Sequence, residues 1–178
     1  IINILLFLAT VGLQNSMGID LNDILGLHWF GSEKFRYNQI ITYMFMHGSW
    51  SHIFLNMFAL IMFGPALENT WGAKRFLVFY LVSGLGAALV QQGASAYHLH
   101  QLMAQVGTFN VDWGLVKQAA ALQLPEQTAQ IEKLLNQAAN SGADFRVLEN
   151  VFYALKTPTI GASGAVFGIL LGFGMLFP

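Results

Sequence analysis

The sequence contains no cysteine among its 178 residues, and only 10% of the residues carry a charge. The absence of cysteine excludes disulfides, thiol nucleophiles and cysteine-based metal sites, and it leaves the redox compartment open. Soluble domains carry about 25% charged residues, so the scarcity of charge places this chain outside their usual range. A net charge of −1 also argues against nucleic acid as a partner, because polyanions are bound by clearly basic surfaces.

Hydrophobic residues make up 55% of the chain and lie mostly in runs without charge. Runs of about 20 apolar residues are typical of transmembrane helices. We therefore predict an all-α membrane protein, a polytopic helical bundle. The predicted segments are a first transmembrane helix (TM1) at about 1–17, an outer interfacial loop at 18–50, TM2 at 51–67, TM3 at 76–95, an outer insertion at 96–157 and TM4 at 158–178.

Orientation is predicted from the short turn between TM2 and TM3, which contains Lys74 and Arg75. Basic residues in short loops favour the cytoplasmic side, so we expect this turn in the cytoplasm and the loop and insertion outside. The prediction is a multi-pass integral protein of a bacterial-type inner or plasma membrane. Both ends of the chain fall inside apolar runs, so we also expect a longer protein that is truncated here after TM4.

The insertion is too polar to cross a membrane, and two amphipathic helices are predicted within it. Pro125 suits the first turn of one helix, which we expect to stop near Gly142. Asp144 is predicted to cap the second. The predicted apolar faces are Ala129, Ile131, Leu134, Leu135 and Ala138 in the first helix, and Val147, Leu148, Val151, Phe152 and Leu155 in the second.

Three polar residues in the apolar segments are candidates for chemistry: His52 and Asn56 in TM2, and Ser163 in TM4. Polar groups inside a membrane are costly and often mark function. His52 and Asn56 are four residues apart and share a helix face. Ser163 is predicted at a comparable depth, about 8 Å below the start of a helix that begins at Pro158. Two donors facing a serine could stabilise an oxyanion during acyl transfer.

A purely structural role is equally open for these residues. His52 and Asn56 could bond to the backbone of a neighbouring helix. Ser163 could be one more small residue on a helix face made by Gly164, Gly168 and Gly172, which recur every four residues and permit close packing.

Three motifs follow one another along the chain. Met46–Asn56 reads MHGSWSHIFLN, Gly64–Glu68 reads GPALE just before Trp71-Gly72, and Gly161–Gly168 reads GASGAVFG. In this order and spacing, apart from the long insertion, they closely resemble the rhomboid family of intramembrane serine proteases. The resemblance covers TM2 to TM4.

The resemblance implies a role for each matched residue. Ser163 would be the nucleophile that attacks a peptide bond in or beside a transmembrane segment, with His52 and Asn56 stabilising the oxyanion. The residues with implied structural roles are His47, which braces the outer loop, Gly161 and Gly164, which flank the serine, and Glu68 at the inner end of TM2. The implied partners are transmembrane protein substrates and the lipid bilayer, with no metal and no cofactor.

Two features of the family find no match in the sequence. Its general base is a histidine on a sixth core helix, whereas His28, His98 and His100 are predicted to lie in loops; we expect the base beyond Pro178 and no activity from this chain alone. The family's first loop carries an arginine at a position where this chain has Gln39. The alternatives are therefore an inactive rhomboid-like protein that binds transmembrane helices, and an unrelated piece of a transporter or channel.

Overall fold

A computed structural model describes residues 1–106, 109–122 and 127–177 of the chain. These residues form helices and one isolated antiparallel bridge, so the predicted all-α class is confirmed. A 3₁₀ turn at Tyr43–Phe45 follows the third helix. The helices are α1 (Ile2–Met17), α2 (Leu21–Leu25), α3 (Gln39–Thr42), α4 (Trp50–Trp71), α5 (Ala73–Ala104), α6 (Trp113–Ala121), α7 (Thr128–Ala139), α8 (Phe145–Lys156) and α9 (Ser163–Leu176).

Two of the helices, α4 and α5, are long and apolar enough to cross a membrane. They have 22 and 32 residues, and their most apolar stretches have a mean hydropathy of 1.4 and 1.5. Only 22% and 17% of these stretches are buried, whereas the core helix of a soluble protein would be mostly buried. The exposed apolar surface therefore suits contact with lipid. The shorter apolar helices are α1 and α9, and the predicted division into spans and outer loops stays a prediction.

α4 and α5 extend a few residues beyond the expected TM2 and TM3 where they meet, and two larger differences bear on the candidate site. α5 continues to Ala104, so His98 and His100 lie in a helix and their predicted loop position is wrong. The helix continues because Leu102 is buried in a core formed with α6 to α8. α9 begins at Ser163 and not at Pro158, so Ser163 is the first residue of its helix, and the depth predicted from an earlier start does not hold.

The chain divides into two compact units, of which the first comprises Ile1–Leu27, Arg36–Gln91 and Thr159–Pro178. In this unit α4 packs against both α1 and α9. Phe7 of α1 meets Trp50 with their rings edge to face at 4.8 Å, and Phe63 meets Phe173 of α9 in the same manner at 5.0 Å. Aromatic contacts thus fix both sides of α4.

The glycine face of α9 allows the close approach that the sequence predicts. A Cβ atom added at Gly164 would collide with Ala87 of α5, and one added at Gly168 would collide with Ser83. At Gly172 it would lie 3.0 Å from the Trp71 ring. At these three glycines the backbone of α9 therefore packs directly against side chains of the neighbouring helices.

The second unit comprises His28–Phe35 and Gln92–Pro158 and has a hydrophobic core of its own. Both predicted amphipathic helices are confirmed: α7 buries Ile131, Leu135 and Ala138, and α8 buries Leu148, Val151, Phe152 and Leu155. The Asp144 carboxylate caps α8 by accepting from the Arg146 N–H at 2.9 Å, as predicted. Pro125 lies outside the described residues, and α6 was not predicted.

Candidate active site

Neutral side chains tie two parts of the outer loop, residues 18–50, to each other. Gln39 is 1% exposed; its Nε2 donates to the Ile24 carbonyl at 3.1 Å, and its Oε1 accepts from the Arg36 N–H at 3.1 Å. The Thr42 hydroxyl donates to the Leu25 carbonyl at 2.7 Å. The position where the family has an arginine is thus filled by an amide that holds the loop through backbone groups.

A short bridge then leads the chain into α9. Leu27 and Thr159 exchange two backbone hydrogen bonds, each 2.8 Å long. Beyond the bridge, Gly161 has a φ of 120°, which is accessible to glycine but strained for other residues. The backbone at Gly161 is therefore not helical, and α9 starts two residues later, at Ser163.

The His52 ring lies directly against Gly161. A Cβ atom at Gly161 would stand 2.5 Å from His52 Nε2 and 2.7 Å from its Cε1, so only glycine leaves room for the imidazole. The structure therefore brings His52 of α4 against the backbone two residues before Ser163. Ser163 itself is half-buried. The first N–H groups of a helix have no intrahelical acceptor, and they can donate to an anion that develops beside the serine.

Asn56 lies one turn below His52 and is buried, with 6% of its surface exposed. Its Nδ2 donates to the His52 carbonyl at 2.9 Å. One N–H of this amide is therefore bonded to its own helix, and the second N–H is the group that could reach an oxyanion.

His47 packs against His52 with ring centroids 5.0 Å apart. It is 1% exposed, and its Nδ1 lies 3.3 Å from the Phe45 carbonyl, which suits an Nδ1–H donor. Burial, helped by the neighbouring His52 and opposed by the bond to Phe45, lowers the pKa of His47 from 6.5 to about 4. The His47 ring is therefore neutral at pH 7. The backbone carbonyl of His47 accepts a hydrogen bond from Asn22 Nδ2 at 3.4 Å.

Tyr43 is a residue that the sequence did not single out. Its carbonyl accepts from the Gly161 N–H at 2.9 Å, and its hydroxyl donates to the Gly84 carbonyl of α5 at 2.7 Å. Burial, and secondly the neighbouring Tyr80, raise the pKa of Tyr43 to about 12, so the hydroxyl keeps its proton. Tyr43 thus connects Gly161, in the segment before α9, with Gly84 of α5. The only sign in the sequence that could have drawn attention to Tyr43 is its place in an uncharged stretch, four residues before His47.

Glu68 lies apart from this group. It is exposed at the end of α4, about 18 Å along the helix from Asn56. Its carbonyl accepts from the Gly72 N–H at 2.7 Å where the helix ends. The structure thus assembles Gly161, His52 and His47 beside the start of α9, with Asn56 one turn below them, and leaves Glu68 outside.

Comparison with known proteins gives a consistent set of matches. The Rhomboid domain family matches residues 34–115. RHOMBOID-like protein 6, mitochondrial, of Arabidopsis thaliana is 32% identical over 96 residues, which cover 49% of this chain and 30% of that protein. Rhomboid-like protein 11, chloroplastic, of the same plant is 28% identical over 130 residues, or 73% of this chain and 42% of that protein.

A bacterial relative matches over a shorter stretch. Putative rhomboid protease YdcA of Bacillus subtilis (strain 168) is 36% identical over 47 residues, or 26% of this chain and 24% of that protein. No solved structure gives a significant match. The matched part of the chain spans less than half the length of each of these relatives.

The helical fold and the apolar helices indicate a membrane protein, and these matches show that it resembles rhomboid proteins. The family match covers residues 34–115, which is less than half of the chain, so it shows similarity to the rhomboid family over that stretch.

Proposed function

We propose that the protein is an intramembrane serine protease that cleaves peptide bonds in or next to transmembrane segments of other membrane proteins. The observation that carries the proposal is the contact of the His52 ring with Gly161, two residues before Ser163. This contact joins the two motifs of the chain that bear chemistry, although they are more than 100 residues apart in the sequence.

In the proposed reaction the Ser163 hydroxyl attacks the substrate carbonyl. Negative charge then develops on the carbonyl oxygen, where the Ser163 N–H, the His52 ring and the second N–H of Asn56 stabilise it. Ser163 must lose its proton to a general base, since a free alcohol is a weak nucleophile. By resemblance to the family, that base is a histidine on a sixth core helix of the full-length protein. When the intermediate collapses, the peptide C–N bond breaks, the protonated base gives its proton to the leaving amine, and the acyl-enzyme remains. Water then hydrolyses the acyl-enzyme and frees Ser163.

The test is labelling of the full-length protein in membranes with a fluorophosphonate probe. Wild type should be labelled, and Ser163→Ala should not. Ser16→Ala is the matched control, because Ser16 also lies in an apolar helix, where its hydroxyl only donates to the Gly12 carbonyl at 2.7 Å. Equal labelling of wild type and Ser163→Ala would exclude Ser163 as the nucleophile.

A rhomboid-like protein that binds transmembrane helices without cleaving them is the second candidate. It is favoured by the bond from Asn56 Nδ2 to the His52 carbonyl, which occupies one of the donors that the oxyanion would use. In this case the full-length protein would crosslink to a transmembrane peptide and would show neither labelling nor cleavage.

We also propose the orientation and the compartment. The turn with Lys74 and Arg75 is cytoplasmic and the insertion lies outside, in a bacterial-type inner or plasma membrane. The charge of this turn supports the orientation. Two plant relatives carry the words mitochondrial and chloroplastic in their names, so an organellar membrane is the alternative to test. Separate fractionation of inner, plasma and organellar membranes distinguishes these compartments.

A further inference from the structure

An open groove of about 490 Å³ runs along α5 and is made by residues that the proposed reaction does not use. Its walls are Lys74, Arg75, Val78, Phe79 and Val82. Residues four apart share a helix face, so Lys74, Val78 and Val82 form one wall, and Arg75 and Phe79 form the other. The groove is therefore positively charged at one end and apolar at the other, and it extends for about 12 Å along the helix from Lys74 to Val82.

The two charges of the groove are not compensated by the protein. Lys74 and Arg75 are exposed, and neither makes an ion pair with any residue that the structure describes. The first turn of α5 contains no acidic residue. Glu68, at the end of α4, is the nearest acid in the sequence, and it is likewise exposed and unpaired within the described ranges. Anionic groups from outside the chain can therefore approach both side chains.

The apolar part of the groove combines one exposed wall with one wall that is held by packing. Val78 and Val82 are 53% and 60% exposed, so they offer free apolar surface. Phe79 is held from behind, because its ring meets Trp71 edge to face at 5.0 Å and also closes on Gly172 of α9. The wall formed by Phe79 is thus positioned by packing and does not need a ligand to form.

We propose that this groove binds one anionic glycerophospholipid. Its phosphate lies between Lys74 and Arg75, and the first part of an acyl chain lies along Val78, Phe79 and Val82. The chemistry of the groove selects this occupant, since a phosphate matches the charged end and only a hydrocarbon matches the rest. A free phosphate would leave the apolar walls uncovered, and a packed helix would bury two unpaired cations at high cost.

The test measures lipid binding to the purified full-length protein in detergent by native mass spectrometry. Dioleoyl-phosphatidylglycerol is compared with dioleoyl-phosphatidylcholine, which has the same acyl chains and no net charge. Each basic residue near a lipid surface contributes ~1 kcal/mol, about fivefold in affinity, so a preference of about 30-fold for the anionic lipid is expected from the pair. Lys74→Gln/Arg75→Gln should abolish that preference. Val78→Phe should weaken binding of the first anionic lipid by filling the groove.

Lys117→Gln/Lys133→Gln is the matched control, because it removes the same charge from exposed positions outside the groove. The preference should survive in it. Equal preference in all variants would mean a general lipid annulus and would overturn the proposal. If Lys74→Gln/Arg75→Gln loses the preference for the anionic lipid while Val78→Phe binds the lipid as wild type does, the headgroup contact exists but the acyl site does not, and the proposal of an acyl site is overturned. If the protein forms a dimer that excludes the lipid, the occupant of the groove is a second copy of the chain. None of these outcomes depends on labelling of Ser163.

Discussion

Gly161 determines how closely His52 approaches the start of α9. A side chain there meets two penalties: a φ of 120°, which strains any residue but glycine by ~1–3 kcal/mol, and a Cβ position 2.5 Å from His52 Nε2. We expect Gly161→Ala to lower the free energy of unfolding by about that amount and to slow fluorophosphonate labelling of Ser163 by at least ~10-fold. Labelling rates and unfolding in detergent measure both effects.

Gly86→Ala is the control, since a Cβ atom on this glycine of α5 meets no atom within 4 Å. Its stability should be unchanged or higher, because alanine is the better helix former by up to ~1 kcal/mol. A Gly161→Ala variant that labels as fast as wild type would remove His52 from the proposed chemistry.

His47 makes stability depend on pH in a defined window. The unfolded chain protonates this imidazole near pH 6.5, whereas the folded chain does so only near pH 4, because the ring is buried beside His52. The unfolded state therefore binds more protons in this interval, and stability must fall as the pH drops from about 6.5 to about 4. Thermal unfolding of His47→Gln between these values should show a weaker dependence on pH than wild type. If the unfolding temperatures of wild type and His47→Gln depend on pH in the same way, a group other than His47 causes the pH dependence.

Part of this site follows from the sequence, and part of it does not. The approach of His52 to the motif that contains Ser163 was predictable, because both residues are polar groups in apolar segments within recognisable motifs. Tyr43 could not be found in that way, because it acts on Gly161 through its backbone carbonyl, which every residue possesses. The start of α9 at Ser163 was missed because apolar character alone does not reveal the φ of Gly161.

The packing of α9 against α5 depends on the absence of side chains at its glycines. We expect Gly168→Ala to destabilise the protein by ~1–3 kcal/mol, since the new Cβ atom collides with the Ser83 side chain. Ser83→Gly should restore part of the loss when it is combined with Gly168→Ala. Unfolding midpoints in detergent, measured for both single variants and the double variant, give the coupling between the two positions.

Gly174→Ala provides the comparison on the same helix, because a Cβ atom there meets nothing within 4 Å. It should cause no loss of stability. If Ser83→Gly fails to rescue Gly168→Ala, the two helices do not meet at this pair of residues.

The helices of the second unit show which patterns a sequence reveals. α7 and α8 were predictable because their apolar residues recur at helical spacing and Asp144 marks a cap. The extension of α5 to Ala104 was not, because glutamines and histidines interrupt its hydropathy after Val90. Its later turns are set by burial of Leu102 in the core of this unit, which is a tertiary effect that local composition does not show.

The distribution of charge along the whole chain, and not any single contact, sets its expected orientation. α4 and α5 are joined at Gly72, so if both cross a membrane, their ends at this turn lie on the same side as Lys74 and Arg75. The helices of the insertion follow the far end of α5. If α5 crosses the membrane, the turn and the insertion must face opposite sides.

The absence of cysteine makes this orientation directly measurable, because a single introduced thiol has no native competitor. Ala73→Cys marks the turn, and Asn136→Cys marks α7; both positions are exposed. In intact cells, a membrane-impermeant maleimide should label Asn136→Cys at once and Ala73→Cys only after permeabilisation, since the basic turn is retained in the cytoplasm. The reverse pattern would invert the proposed topology. Labelling of both thiols from outside would mean that α5 does not cross the bilayer, although its length and hydropathy suffice for crossing.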